Sequence, residues 1–365
     1  AYAPAFAGQT RAPGIKTQTP YATELVAEGL RNPWGLAALP DGRILITEKS
    51  GSLRIVSPQG QISGAITGFP ALADEGQGGL LDLALSPDFE ATRMVYFTLS
   101  ERAAEGSVTA LGRGRLNEAA GMVENFEILY RALPYHTSAG HFGSRVVIDE
   151  DGLIYLSTGD RQRDETRPNA QKPDKGHGKI LRLTLDGQPA PGNPFIGKPD
   201  AIPELYSLGH RNVQGMDIDP RTGEVWISEM GPRGGDELKL IRPGLDYGWP
   251  AISYGIEYSG EPIGPGETAR EGMEQPVYYW DPVIAPSGMA FYHAAAMPEW
   301  QGSLFIGALA GQHISRLVLE GGRVLYEERL LADESQRFRD ILAHPDGSLY
   351  AITDAGRLYR VGPAR

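Results

Sequence analysis

The chain has 365 residues, with 34 Lys+Arg against 46 Asp+Glu, a formal net charge of −12, 47 Gly, 28 Pro and no Cys. The composition is globular, and its acidic balance opposes a phosphate-backbone partner, so no nucleic-acid role is expected. The lack of Cys excludes disulfides, thiolate nucleophiles, zinc–thiolate sites and iron–sulfur clusters, and no apolar run reaches the ~18 residues of a spanning helix.

Residues 1–20 read as an N-terminal extension and residues 21–365 as a single domain. Residues 22–28 have β character but no hairpin partner of their own. After them one pattern recurs: an apolar run, a Pro/Asp/Gly turn, and a second apolar run ending in Thr, Ser or Gly. It occurs at residues 35–47, 81–98, 144–158, 215–228, 288–307 and 339–353. Each copy is a hairpin signature, often followed by a third strand, as at residues 51–56 and 356–361. Six blades of ~40–45 residues account for roughly 240–270 residues and predict an all-β, six-bladed β-propeller. The remainder is expected in long connections after the second, third and fourth copies, where function usually concentrates. Residues 22–28 are expected to add the outer strand of the last blade, closing the ring and removing an exposed edge.

Common catalytic signatures fail. No GxxxxGK[ST], GxSxG, HExxH or strand-flanked GxGxxG occurs. Asp217-Ile218-Asp219-Pro220-Arg221 begins like a calcium loop, but Arg221 fills a ligand position, so it reads as a hairpin turn. Of seven His, His293, His313 and His344 lie in or beside repeat hairpins and read as structural. His141 differs: Gly140 and Gly143 flank it just before the third repeat, where backbone and ligand can approach closely, and imidazole suits a general base. Asp160, at the far end of the same hairpin, can orient it or be a plain turn residue.

Three arginines come next. Arg211-Asn212 precedes the fourth repeat. Arg337-Phe338-Arg339 precedes the sixth, and in an extended chain its two guanidinium groups share a face while Phe338 turns into packing. Either they are solvated beside Asp333, Glu334 and Asp340, or they converge with Arg211 on one mouth for a small polyanion. The loop at residues 229–237, followed by Asp246-Tyr247-Gly248-Trp249-Pro250, can turn oxygens toward a hard cation, or be an Asp/Gly-rich turn.

Taken in order, Asn32-Pro33-Trp34-Gly35, residues 75–81, Gly140-His141-Phe142-Gly143, residues 178–182, Arg211-Asn212-Val213-Gln214-Gly215, residues 231–237, residues 246–250, Tyr258-Ser259-Gly260, Pro286-Ser287-Gly288-Met289 and Arg337-Phe338-Arg339-Asp340 make the chain resemble a known family. This is the soluble pyrroloquinoline-quinone (PQQ) dependent glucose/sorbosone dehydrogenases, in the shorter aldose sugar dehydrogenase branch. The resemblance covers residues 30–361 and implies a six-bladed propeller that oxidises an aldose at the anomeric carbon to the lactone. It implies His141 as proton acceptor supported by Asp160, and Gln77, Arg211, Asn212, Tyr258, Arg337 and Arg339 as PQQ contacts. It also implies a Ca²⁺ held by the carbonyls of Gly231 and Pro232, and a second, structural Ca²⁺ at Glu237 and Tyr247.

The expected partners are an aldose and an external electron acceptor. The chain is expected to act as a monomer and, with a signal peptide removed, in the periplasm or outside the cell. Two departures stand out: Leu309-Ala310-Gly311-Gln312 lacks the Lys that glucose dehydrogenases of the family usually carry, and Gly140 replaces the acid that often precedes the base. The alternatives are a metal-dependent lactonase and a non-enzymatic binding propeller.

Overall fold

The structure is a computed structural model that describes residues 2–364; the expected domain limits at residues 1 and 365 lie outside the described residues. Six antiparallel sheets are arranged around a common axis, one for each repeat. The first blade contains Pro33–Ala38, Ile44–Glu48 and Ser52–Val56, and the second Leu80–Leu85, Met94–Ala103, Gly106–Asn117 and Met122–Arg131. The third has Val146–Ile148, Ile154–Ser157, Lys179–Leu183 and Leu205–Leu208, and the fourth Val213–Ile218, Val225–Glu229, Asp236–Ile241 and Tyr278–Trp280. The fifth has Pro286–Phe291, Leu304–Ala308, His313–Glu320 and Arg323–Leu330. The sixth takes Phe338–Ala343, Leu349–Thr353 and Arg357–Gly362 from the C-terminal end, and Ala22–Glu28 from the other.

The expected closure is observed. Ala22–Glu28 pairs antiparallel with Arg357–Gly362, from Ala22 opposite Gly362 to Glu28 opposite Arg357, with one bulge between Leu25 and Ala27. An edge that would otherwise expose a row of backbone donors and acceptors is thereby covered by the other end of the chain.

The core lies between blades. Middle strands such as Ile44–Glu48 and Leu349–Thr353 are buried along their whole length, because each blade packs against a neighbour on both faces. One apolar cluster sits at each of the six junctions. Where the ring closes, Ile352 and Leu358 of the sixth blade meet Leu36, Ile44, Ile46 and Val56 of the first. Ile352 is fully buried there. Ile352→Ala is expected to cost about 2–5 kcal/mol, read as a lower denaturant midpoint; an unchanged midpoint would mean that this junction does not bear on stability.

One expectation shifts in detail. The stretch after the second repeat is largely regular, because the strands Met94–Ala103 and Gly106–Asn117 run on as a long hairpin. In the first blade the outer strand is reduced to isolated bridges, Leu53 with Ile66 and Val56 with Ile62. The segment before Ala22 is strapped to the outside of the fourth and fifth blades: Tyr279 N donates to Gln9 O, and Ile15 N to Glu327 O.

In each repeat, the tight turn between the first two strands lies on one face of the ring. The segment leading into the first strand, and the turn after the second, lie on the opposite face. His141, Arg211, Arg337, Asp160 and the loop at residues 229–237 all belong to that opposite face.

Candidate active site

His141 Nδ1–H donates to Asp160 Oδ1 at 2.7 Å. Asp160 Oδ1 also accepts from Gln162 N at 2.9 Å, and its second oxygen accepts from Trp249 Nε1 at 2.8 Å. Three donors fix this carboxylate, which is 1 % exposed. With Nδ1 committed as donor, Nε2 keeps the lone pair, and among the described residues it has no hydrogen-bond partner.

Burial, followed by the nearby Arg211 charge, lowers the His141 pKa below its ordinary value, against the pull of Asp160. Burial raises the Asp160 pKa, but the bond from His141 and the charges of His141 and Arg211 leave it lowered overall. The pair therefore holds a neutral imidazole over an ionised carboxylate near neutral pH.

The segment carrying His141 is forced into an uncommon shape. His141 has φ 48°, a left-handed value rare outside Gly. Gln77 Oε1 accepts from His141 N at 2.9 Å. The buried Arg161 guanidinium lies over the Phe142 ring and donates to the carbonyls of Gly140 and Ser138. Gly159 is required opposite, since a Cβ there would sit 2.0 Å from the His141 carbonyl oxygen.

Arg211 and Asn212 join this group. Arg211 O accepts from Asp160 N at 2.8 Å, and Asn212 Oδ1 accepts from Gly143 N at 3.1 Å. Arg211 Nη1 donates to the carbonyls of Met230 and Gly231 at 3.0 and 2.9 Å. Its Nε is buried with no partner among the described residues, so the guanidinium has unspent donor capacity for an anion. The Gly231 loop is anchored from below by Asp236, whose carboxylate accepts from the backbone N of Gly231, Ile284 and Ala285 at 2.7 Å each. Burial outweighs these bonds and pushes the Asp236 pKa up to about 7.

Arg337 and Arg339 share a face as expected, and Phe338 is fully buried. Their acid is neither Asp333, Glu334 nor Asp340 but Asp354, on the turn after the second strand of the same hairpin. Arg339 Nε donates to Asp354 Oδ1 at 2.8 Å, and Arg337 Nε to Asp354 Oδ2 at 3.0 Å. Arg339 Nη1 also donates to Gln214 Oε1 at 2.8 Å, which ties this corner to the strand after Asn212. Lys49, whose Nζ donates to Gly76 O at 2.6 Å, adds a cation beside Gln77; burial and then the Arg339 charge lower its pKa. Tyr258 is 70 % exposed, in the loop whose Ile256 pairs with Arg233, next to Glu257, which pairs with Arg167.

Thus His141, Asp160, Gln77, Arg211, Asn212 and Gly231 form one connected group, with Arg337 and Arg339 joined to it through Gln214. Glu237 and Tyr247 are set back on the fourth blade, where the buried Lys239 ammonium already meets the Glu237 carboxylate at 2.8 Å. Sequence reading missed Trp249, Asp354, Arg161, Lys49 and Lys239. Trp249 did stand in a quoted motif; the other four carried no local signature.

The donor set suits an anionic quinone better than a lone metal ion. Arg211, Arg337, Arg339 and Lys49 stand on the same face of the ring as His141, and one guanidinium nitrogen is unsatisfied among the described residues. Gly231 and Pro232 offer only two neutral oxygens, far short of the six to eight that Ca²⁺ takes.

The sequence profile described as Glucose / Sorbosone dehydrogenase matches residues 30–360. Aldose sugar dehydrogenase YliI of Escherichia coli is 41 % identical over 346 residues, covering 93 % of this chain and 92 % of the relative. A solved glucose dehydrogenase superposes with a TM-score of 0.90 at 43 % identity, over 94 % of this chain and all of the other. The PQQ-bound form of an aldose sugar dehydrogenase from Streptomyces coelicolor superposes with a TM-score of 0.77 at 29 % identity, over 95 % and 99 % of the two chains. The extent of these matches, together with the six-bladed ring, establishes that the chain belongs to the glucose/sorbosone dehydrogenase family.

Proposed function

We propose that this chain is a PQQ- and Ca²⁺-dependent dehydrogenase that oxidises aldoses at the anomeric carbon to the lactone. The observation that carries the reading is His141, with Nδ1 bound to an ionised Asp160, Nε2 without a partner among the described residues, and a partly unsatisfied Arg211 guanidinium near enough to lower its pKa. When bound, PQQ supplies an electrophilic two-electron acceptor for the hydride of the anomeric carbon.

The protein's part is proton transfer and positioning. His141 Nε2 takes the proton of the anomeric hydroxyl as the substrate's C–O bond becomes a carbonyl, and Asp160 steadies the imidazolium that results. Trp249 and Gln162 keep Asp160 from turning away. Gln77 and Asn212 hold the backbone on either side of His141; Gln77 keeps its amide hydrogens for a ligand, and Asn212 keeps one, the other going to Met230 Sδ. Arg211, Arg337 and Arg339 would meet the cofactor's carboxylates; Asp354 keeps the last two from repelling each other before an anion arrives. Tyr258 would cover the mouth from the rim.

Gly231 and Pro232 would present their carbonyls to Ca²⁺. Because Arg211 already donates to the Gly231 carbonyl, a divalent cation alone meets repulsion there, whereas a cation arriving with an anionic cofactor does not. Metal and PQQ should therefore bind together.

An external electron acceptor and a monomeric, periplasmic or secreted protein complete the reading; no helix of the described residues is long and apolar enough to cross a membrane.

Arg211→Met tests the cofactor mouth. It should weaken PQQ binding by about 1.5–3 kcal/mol, the range for a hydrogen bond to a charged group. A fluorescence titration of the apoprotein with PQQ reads this directly, and an unchanged curve would limit Arg211 to stapling the Gly231 loop.

A further inference from the structure

Lys239 sits on the third strand of the fourth blade with its side chain 1 % exposed. Its ammonium lies 2.8 Å from Glu237 Oε2 and 3.1 Å from Glu229 Oε1. It stands 5.8 Å from the centre of the Tyr247 ring. The second Glu229 oxygen accepts from His210 Nδ1 at 3.2 Å, and the His210 ring stacks on Tyr247 at 5.1 Å. Two buried carboxylates thus share one fixed cation.

This is the place where the family resemblance implies a second, structural Ca²⁺. The residues present do not fit that ion. Glu237 carries the one carboxylate of the implied pair, and it is already paired with Lys239. Displacing Lys239 would strand an ammonium in the interior, and leaving it in place would set a divalent charge beside it; both are costly in a poorly solvated site. An ammonium supplies three donors and a single charge at the centre of the carboxylates, which covers the electrostatic part of a metal's role without an exchangeable ion.

We propose that Lys239 is a built-in cation that replaces the structural Ca²⁺ at Glu237 and Tyr247, so that the fold of this chain does not depend on calcium. The proposal stands apart from the PQQ reading, since it concerns the protein without cofactor.

The test compares wild type with Lys239→Gln by equilibrium dialysis with radioactive Ca²⁺, and by thermal unfolding in EGTA and in Ca²⁺, with and without PQQ. Wild type should melt at the same temperature in EGTA and in Ca²⁺ when PQQ is absent, and hold no tight Ca²⁺. Lys239→Gln leaves Glu229 and Glu237 uncompensated, so it should bind one more Ca²⁺ per chain than wild type. Its melting temperature should rise by roughly 3–4 °C at Ca²⁺ 100-fold above the dissociation constant. The difference of one Ca²⁺ is expected whether or not PQQ binds, so failure of the cofactor reading would not be mistaken for failure here. If Lys239→Gln does not fold, wild type decides alone. Calcium-independent melting supports the proposal. A tight Ca²⁺ in PQQ-free wild type, a melting point lowered by EGTA, or a folded variant that takes up no extra Ca²⁺ overturns it.

Discussion

Replacing His141 with Gln is expected to leave PQQ binding intact and to cut turnover by roughly 10²–10⁴, the usual scale for a positioned general base. Gln is close in size and can still donate toward Asp160 Oδ1, so the 2.7 Å contact that orients this corner has a substitute. What disappears is a nitrogen able to accept a full proton.

The pH profile separates this from a merely structural effect. Only neutral imidazole accepts a proton, so the wild-type rate should fall as pH drops through the His141 pKa. Burial and Arg211 set that pKa below the ordinary histidine value of ~6.5. The enzyme should therefore hold its rate below neutral pH and lose it only in the more acidic range, and the residual rate of His141→Gln should lack that limb. His136 is the control: it lies near Glu165 at 3.2 Å and accepts from Ser138 N through Nδ1, with no bond to the His141–Asp160 pair. If His136→Gln abolished turnover and His141→Gln did not, the base would be misassigned.

Chelation carries the second large effect. Treating the PQQ-loaded protein with EGTA should abolish sugar oxidation, and Ca²⁺ should restore it, if the proposed cation at the Gly231 and Pro232 carbonyls acts with the cofactor. The same treatment should leave the melting temperature of the PQQ-free protein unchanged, since Lys239 already compensates Glu229 and Glu237. Full activity in rigorously calcium-free protein would remove the metal from the reaction.

The six hairpins were legible because each carries its own turn, and a turn is a local instruction. Ring closure was legible too, since residues 22–28 had no local partner and residues 356–361 had an open side. The outer strands were harder to see: in the first blade, pairing thins to two bridges that no local pattern marks.

In the site, His141 and Asp160 stood at the two ends of one hairpin, so their meeting follows from topology. Trp249 reaches Asp160 from 89 positions away, a distance over which sequence pattern says nothing. Asp354 looked like any acid in a turn; only the register of its hairpin sets it between Arg337 and Arg339. Lys239 was hidden for another reason. Alternation normally separates an inner from an outer face, but blade strands are buried on both, so a Lys in the run Asp236–Ile241 gave no sign of pointing inward.

Quinone-dependent sugar oxidation at this site can be read by reconstitution. Apoprotein is mixed with PQQ and Ca²⁺, a panel of aldoses is added one at a time, and reduction of an artificial electron-accepting dye is followed. No dye reduction is expected without PQQ, and rapid, sugar-dependent reduction is expected with PQQ and Ca²⁺ for at least one aldose, with the lactone as product. Protein that binds PQQ and Ca²⁺ yet reduces no dye with any aldose would not be a sugar dehydrogenase of this kind.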